Sequence, residues 1–216
     1  MITIKIFVFN DFQENTFVLS DETKECIIVD PGCNVNAERK ELTDYIEKNE
    51  LIPKAILNTH CHIDHVLGIK FVTEKYQIPF IAHKEDMVLI KNALSFGGFF
   101  GINAEQPPMP DHFIEEGEEF TFGNSTLKIF HIPGHSSGSI TLYSSNDNFV
   151  ITGDVLFKNS IGRTDLPGGD YEMLITGITT KLLTLPEDTM AFPGHGPHTT
   201  IKDEKRNNPF LKLINK

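Results

Sequence analysis

The chain has 216 residues, 39% of them hydrophobic, which is enough for a sizeable core in one domain spanning residues 1–216. Thirty acidic against 19 basic residues give a formal net charge of −11, which argues against a nucleic-acid substrate because phosphate backbones need compensating Lys and Arg. Three cysteines make no even disulfide framework, no apolar run reaches the length of a membrane span, and the first residues lack a basic region followed by an apolar core, so a cytoplasmic protein with reduced thiols and no membrane partner is expected.

The pattern predicts strands over Ile2 to Phe9, Asn15 to Leu19 and Cys26 to Val29, the last two joined by the turn-like Ser20-Asp21-Glu22-Thr23. Asn36 is placed to cap a helix running to about Asn49, with Leu42, Tyr45 and Ile46 on one face. Lys54 to Leu57 reads as a strand, His65 to Tyr76 as a helix burying Val66, Ile69 and Val72, Pro79 to Ala82 as a short strand and Lys84 to Asn92 as a helix. Ser95 to Gly101 alternates phenylalanines with glycines and reads as a loop, either a lid, an oligomer contact or a segment anchored by Phe packing. Strands follow at Glu119 to Phe122, Thr126 to Ile132, Ser139 to Tyr143 and Phe149 to Thr152. A helix over Tyr171 to Leu183, a strand over Thr189 to Phe192 and a helix over Asp203 to Ile214, interrupted at Pro209, complete the chain.

Chemistry concentrates in Thr59-His60-Cys61-His62-Ile63-Asp64-His65, directly after a buried strand, where α/β proteins usually build sites. Alternation along an extended segment puts His60 and His62 on one side. A helix starting near Asp64 turns the next side chains to another angle, so one loop can serve two adjacent ions. Three further segments repeat the form strand, turn, metal-capable residue: Pro133-Gly134-His135, Gly153-Asp154 and Pro193-Gly194-His195. The glycines let the backbone turn sharply beside the site. Five histidines and two aspartates exceed one tetrahedral zinc and suit two divalent ions. Zinc is the expected metal, with iron or manganese as alternatives, since a His/Asp set accepts each of them. Cys61 falls between two ligands and should point away from them.

This order of residues resembles the metallo-β-lactamase superfamily, and more narrowly its glyoxalase II (hydroxyacylglutathione hydrolase) branch. The resemblance extends to Asp30-Pro31-Gly32 and the Gly162-Arg163-Thr164-Asp165 loop. Gly194-His195-Gly196-Pro197 with Asn208-Pro209-Phe210 resembles the short bacterial relatives of that branch. It implies an α/β fold, a four-layer αββα sandwich. It implies His60, His62 and His135 at a first metal, Asp64, His65 and His195 at a second, and Asp154 between them. True β-lactamases of the superfamily commonly carry Cys or Ser at the Asp154 position, so an antibiotic-degrading role is not expected.

Two such ions lower the pKa of a bridging water and supply hydroxide near neutral pH, so no side-chain nucleophile is needed. Thioesters suit this apparatus, because a thiolate whose acid has a pKa of roughly 8.5 leaves without strong acid assistance. The expected activity is therefore metal-dependent thioester hydrolysis of a small molecule such as S-lactoylglutathione. Asp64 is the candidate for proton movement as well as metal binding. Arg163 is the candidate contact for a substrate carboxylate or carbonyl, against the alternative that it pairs with Asp165 or Asp170 and only fixes its loop. His83 and His198 are candidate supporting donors, although surface or structural roles fit each of them better. On the same fold, a mononuclear-iron persulfide dioxygenase using His60, His135 and Asp154, or a lactonase, are the alternatives.

Overall fold

The computed structural model describes residues 1–212; the stretch 213–216, where the last helix was expected to end at Ile214, lies outside the described residues. Two six-stranded sheets form its centre. The first comprises β1 (Thr3–Phe9), β2 (Glu14–Ser20), β3 (Glu25–Val29), β4 (Ile52–Leu57), β5 (Phe80–Ala82) and β6 (His112–Phe113), in that spatial order. β1, β2 and β3 pair antiparallel, and β3 to β6 pair parallel. The second sheet comprises β7 (Glu119–Phe122), β8 (Ser125–His131), β9 (Ile140–Ser144), β10 (Phe149–Gly153), β13 (Met190–Pro193) and β14 (Thr199–Thr200), with β10 and β13 adjacent and parallel. β11 (Leu156–Phe157) and β12 (Ser160–Ile161) form a small separate hairpin.

Period-two alternation decides which face of each strand meets which layer. In β3, Ile27 and Val29 face the other sheet with Leu127, Ile129, Leu142 and Ile151, while Cys26 and Ile28 face the opposite way. There they meet Leu42 and Ile46 of α1 (Asn36–Lys48) and Ile69 and Val72 of α2 (Ile69–Tyr76). On the far side, Val150 and Ala191 pack with Leu174 and Ile178 of α5 (Tyr171–Thr180) and Ile201 of α6 (Ile201–Asn207). Three apolar layers therefore separate four layers of structure, the αββα sandwich that the resemblance implied. Two short helices, α3 (Met87–Lys91) and α4 (Ala93–Phe99), continue the first helical layer.

Several boundaries differ from the expected ones. Asn36 is the first helical residue, not the cap; Val35 takes that place, and the Glu38 carboxylate accepts the Asn34 N–H (2.7 Å), the Val35 N–H (3.2 Å) and the Asn10 N–H (2.7 Å). The helix expected from His65 starts at Ile69, because Ile63–His65 forms a single tight turn ahead of it. Ser95 to Gly101 is not a loop: most of it is α4, whose glycines did not prevent a helix once Ala93 and Gly97 were buried against the core. α6 begins two residues early, where Thr200 accepts the Asp203 N–H (3.1 Å), and it ends at Asn207 ahead of Pro209. Among the described residues no helix is long and apolar enough to cross a membrane.

Candidate metal centre

The four donor-bearing segments follow β4, β8, β10 and β13, strands of both sheets that end at one rim of the sandwich. Local hydrogen bonds fix each segment. Asn58 closes the first loop by donating to the carbonyls of His60 (3.1 Å) and His65 (2.9 Å). The Ile140 N–H donates to the Thr59 carbonyl (2.8 Å), tying that loop to the second sheet. Gly153 has φ +49°, a left-handed conformation, and a Cβ there would strike the Thr59 side chain. Gly194 is required for closeness, since a Cβ would meet the Asp154 carboxylate and the His65 ring at 2.8 Å.

All seven expected donors converge. The ligand atoms of His60, His62 and His135 lie within 4.8 Å of one another, as do those of Asp64, His65 and His195. Asp154 stands between the groups: its Oδ2 is 3.5 Å from His135 Nε2 and 3.5 Å from His195 Nε2, and its Oδ1 is 3.5 Å from His65 Nε2.

Outer hydrogen bonds set the tautomers. His135 Nδ1–H donates to the Arg163 carbonyl (2.9 Å), His195 Nδ1–H to the Phe12 carbonyl (3.0 Å) and His65 Nδ1–H to Asp30 Oδ2 (3.1 Å). Thr59 spends its own hydroxyl proton on Asp30 Oδ2 (2.5 Å), so it accepts from His60 Nδ1–H (3.2 Å). In its neutral form each of these imidazoles therefore turns a bare Nε2 lone pair inward.

In the uncharged rings those lone pairs face one another and carboxylates, and His62 Nδ1, 2.9 Å from His135 Nε2, is the one neighbouring ring nitrogen among the described residues whose tautomer no outer hydrogen bond sets. His65 Nε2 and His195 Nε2 are 3.2 Å apart, and His195 Nε2 is 3.1 Å from Asp64 Oδ2. His60 Nε2 and Asp154 Oδ1 are buried without any hydrogen-bond partner. A buried acceptor lacking a donor is costly, and cations relieve it. Two nitrogens on one tetrahedral zinc lie about 3.3 Å apart, close to the 2.9 Å between His62 Nδ1 and His135 Nε2 and the 3.2 Å between His65 and His195. The residues present thus fit a pair of metal ions.

Electrostatics divides the two groups. Burial, then neighbouring imidazoles, holds His60 well below the ordinary histidine value. Burial and His135 bring His62 down to about 3, and burial brings His135 down to about 4. His65 moves upward: burial opposes its charged form, but Asp64, Asp154 and Asp30 outweigh burial. His195 also moves upward, with Asp64 and Asp154 outweighing burial. Asp64 is held below the usual carboxylate range by His65 and His195 against burial, whereas burial pushes Asp154 up.

A family model described as the metallo-beta-lactamase superfamily matches residues 9–195. The chain belongs to this superfamily. It is 38% identical to the hydroxyacylglutathione hydrolase GloC of Haemophilus influenzae over 97% of this chain and 98% of that one. In structure it resembles the BLEG-1 B3 metallo-beta-lactamase (TM-score 0.89, 37% identity, 97% and 99% of the two chains). It also resembles TTHA1623 in a di-iron-bound form (TM-score 0.87, 35% identity, 96% and 100% of the two chains).

The superfamily centre has supports that motif reading did not assign a role. Asp30 accepts the Thr59 N–H (2.7 Å) and hydroxyl and the His65 Nδ1–H, so it backs two donors at once. Its oxygens are thereby spent, although distance alone would admit it as a ligand beside His60 and His65. Asp86 accepts from the Cys61 N–H (2.9 Å), the Ser136 hydroxyl (2.9 Å) and the Gly138 N–H (2.6 Å), joining the His60 and His135 loops. Asp30 had a signal in its Asp-Pro-Gly turn; Asp86 lies in an ordinary helical start and had none. Cys61 points away from the donors into the first helical core, as expected. His83 stacks on His131 at 4.0 Å, and His198 lies against Phe192; no hydrogen bond among the described residues joins His83 or His198 to the cluster. Arg163 makes a forked pair with Asp165 (2.8 Å for each contact) while lining the cavity above the donors. That cavity of about 570 Å³ contains His62, Asp64, Asp154 and His195 in its wall.

Proposed function

We propose that this metal-dependent hydrolase of the metallo-beta-lactamase superfamily acts on thioesters of small molecules, S-lactoylglutathione among them, with two divalent ions. The observation that carries the reading is the pairing of two inward-facing donor groups around Asp154 beneath an open cavity. When bound, such ions ionise water near neutral pH and polarise an acyl oxygen. The likeness to a hydroxyacylglutathione hydrolase over nearly its whole length supports a thioester substrate, and the likeness to a di-iron-bound protein supports two ions, with zinc, iron and manganese all compatible with the donors.

In hydrolysis the water oxygen bonds to the acyl carbon, the carbon–sulfur bond breaks with its electron pair on sulfur, and carboxylate, thiolate and protons result. Asp64 reaches both the cavity and His195 Nε2 (3.1 Å), so it is placed to hold one donor group and to take a proton from the attacking water. His60 and His135, fixed by Thr59 and the Arg163 carbonyl, hold their lone pairs in one orientation without needing a carboxylate. Arg163 borders the cavity and is placed to meet the substrate only if Asp165 releases it.

The decisive experiment combines elemental analysis with S-lactoylglutathione turnover on the same sample. Two metals with turnover support the reading; two metals without turnover of any thioester defeat the substrate class. Oxygen uptake with glutathione persulfide at one iron per chain would favour the dioxygenase alternative. Nitrocefin belongs in the same assay, because likeness to a B3 metallo-beta-lactamase favours β-lactam hydrolysis as a second reading.

A further inference from the structure

The cavity over the donors is uneven in chemistry. Its floor is the polar cluster, and its walls are dominated by aromatic and aliphatic side chains, including Phe12, Leu89, Phe96, Phe99 and Phe100. Phe12 and Phe100 meet edge to face at 5.6 Å, and Phe99 meets Phe100 the same way at 5.1 Å. These rings are not hidden: Phe99 is 84% exposed, Phe100 48% and Phe12 37%. A single exposed phenylalanine needs no explanation, but three joined through Phe100 at the mouth of a cavity form a continuous apolar surface awaiting cover. Apart from the donor histidines of the floor, Arg163 is the one basic side chain among the described lining residues, and its Nε and Nη2 are engaged by Asp165. Away from the donor floor, nothing else in the wall would neutralise a carboxylate.

We propose that the site, granted the thioester reading above, selects thioesters with apolar acyl groups: medium-chain, branched or aromatic. α4 and Phe12 form its specificity-determining wall. The carbonyl rests over the donor cluster, the acyl chain covers the phenylalanines, and the thiol carrier leaves through the open side. A small hydroxyacyl group leaves the same wall wet, so it gains nothing from it. This explains why a phenylalanine- and glycine-rich segment stands beside a hydrolytic centre instead of a basic one.

The test uses metal-loaded protein and a series of N-acetylcysteamine thioesters: acetyl, butyryl, hexanoyl, octanoyl and benzoyl, with S-lactoylglutathione alongside. Burial of each added methylene should raise kcat/KM about three- to fourfold until the cavity is filled. Phe99→Asp and Phe100→Asp, at exposed positions that tolerate polarity, should cut the octanoyl-to-acetyl ratio at least about tenfold, with unchanged thermal midpoints confirming the fold. A flat chain-length profile, a ratio unmoved by both variants, or S-lactoylglutathione outpacing octanoyl thioester overturns this inference and leaves the thioester reading intact. Binding of the non-hydrolysable octyl thioether of N-acetylcysteamine, measured by calorimetry, separates the two claims. If it binds and Phe100→Asp abolishes that binding while no thioester is hydrolysed, the apolar selectivity stands and the thioester reading falls.

Discussion

The two donor groups use similar residues, yet their most buried histidines, His60 and His65, are supported in opposite ways. His60 and His135 rest on neutral oxygens, a threonine hydroxyl and the Arg163 carbonyl, and their group lies deep enough that burial keeps the imidazoles uncharged. His65 rests on the Asp30 carboxylate, with Glu14 Oε1 3.9 Å away, and shares its inner side with Asp64 and Asp154. One group presents neutral ligands whatever the solution does above mild acid; the other holds charge that something must balance. The difference follows from where the backing atoms come from. The first group is braced by loop backbone and Thr59; in the second, His195 also rests on a loop carbonyl, that of Phe12, but His65 rests on the positive-φ turn at Asp30 (φ +49°) after β3.

Removing the residue that belongs to both groups breaks the comparison most severely. Asp154→Ala should lower kcat by three or more powers of ten, since several kcal/mol of charge stabilisation go with it. Elemental analysis should show fewer than two metals per chain. Retention of both metals with normal turnover would remove Asp154 from its shared position. Asp30→Asn should act mainly on the His65 side, since Asp30 meets His65 directly and His60 only through Thr59. It removes the charged acceptor behind His65 and leaves His62 and His135 untouched, so metal at Asp64, His65 and His195 should weaken by about 10- to 100-fold while metal at His60, His62 and His135 weakens less. Equal weakening of both metals in a competition titration would show that Asp30 acts through Thr59 and His60 instead.

These contrasts were only partly visible in the amino-acid order. The seven donors were legible because imidazoles and aspartates just past strand ends have few other uses, and because His60 to His65 are consecutive along one loop. The sandwich was legible through resemblance, while the alternation of Cys26, Ile27, Ile28 and Val29 showed a strand buried on both faces without saying what covered each. α4 was misread because glycines weaken helices locally, and burial of Ala93 and Gly97 against distant residues is a tertiary effect. The hairpin of β11 and β12 and the edge strand β14 are two-residue pairings, too short for periodicity to register. Asp86 was invisible for another reason: its three partners lie 25 to 52 residues away.

Acidity should separate the groups next. Histidines with lowered values, His62 at about 3 and His135 at about 4, give metal-free protein stability that is complete above about 6.5, the unfolded value, and is lost as pH falls toward those values. His65 and His195 have raised values, so their contribution is complete below about 6.5 and is lost as pH rises through their folded values. In metal-free protein the second group therefore keeps its protons to higher pH than the first, and an incoming cation must expel them. Its affinity should rise about tenfold per pH unit for each proton displaced, while the first group's affinity stays nearly level between pH 6 and 7. Calorimetry in buffers of different ionisation enthalpy reads this directly. Equal proton release for the two metal equivalents would erase the contrast.

The smallest effect concerns the loop that touches both the first group and the cavity. The Arg163 carbonyl orients His135, whereas its guanidinium is occupied by Asp165 at the exposed rim. Backbone and side chain thus serve different ends, and a side-chain substitution leaves the carbonyl in place. Arg163→Ala should change kcat/KM for S-lactoylglutathione by less than about threefold, the scale of an exposed ion pair. Asp165→Ala is the sharper variant, because it frees the fork to meet a carboxylate-bearing thioester. KM for S-lactoylglutathione should fall in that variant, while KM for an uncharged thioester stays put. A tenfold rise in KM on Arg163→Ala would instead mean that Arg163 leaves Asp165 whenever substrate arrives, and that the cavity has a working cation after all.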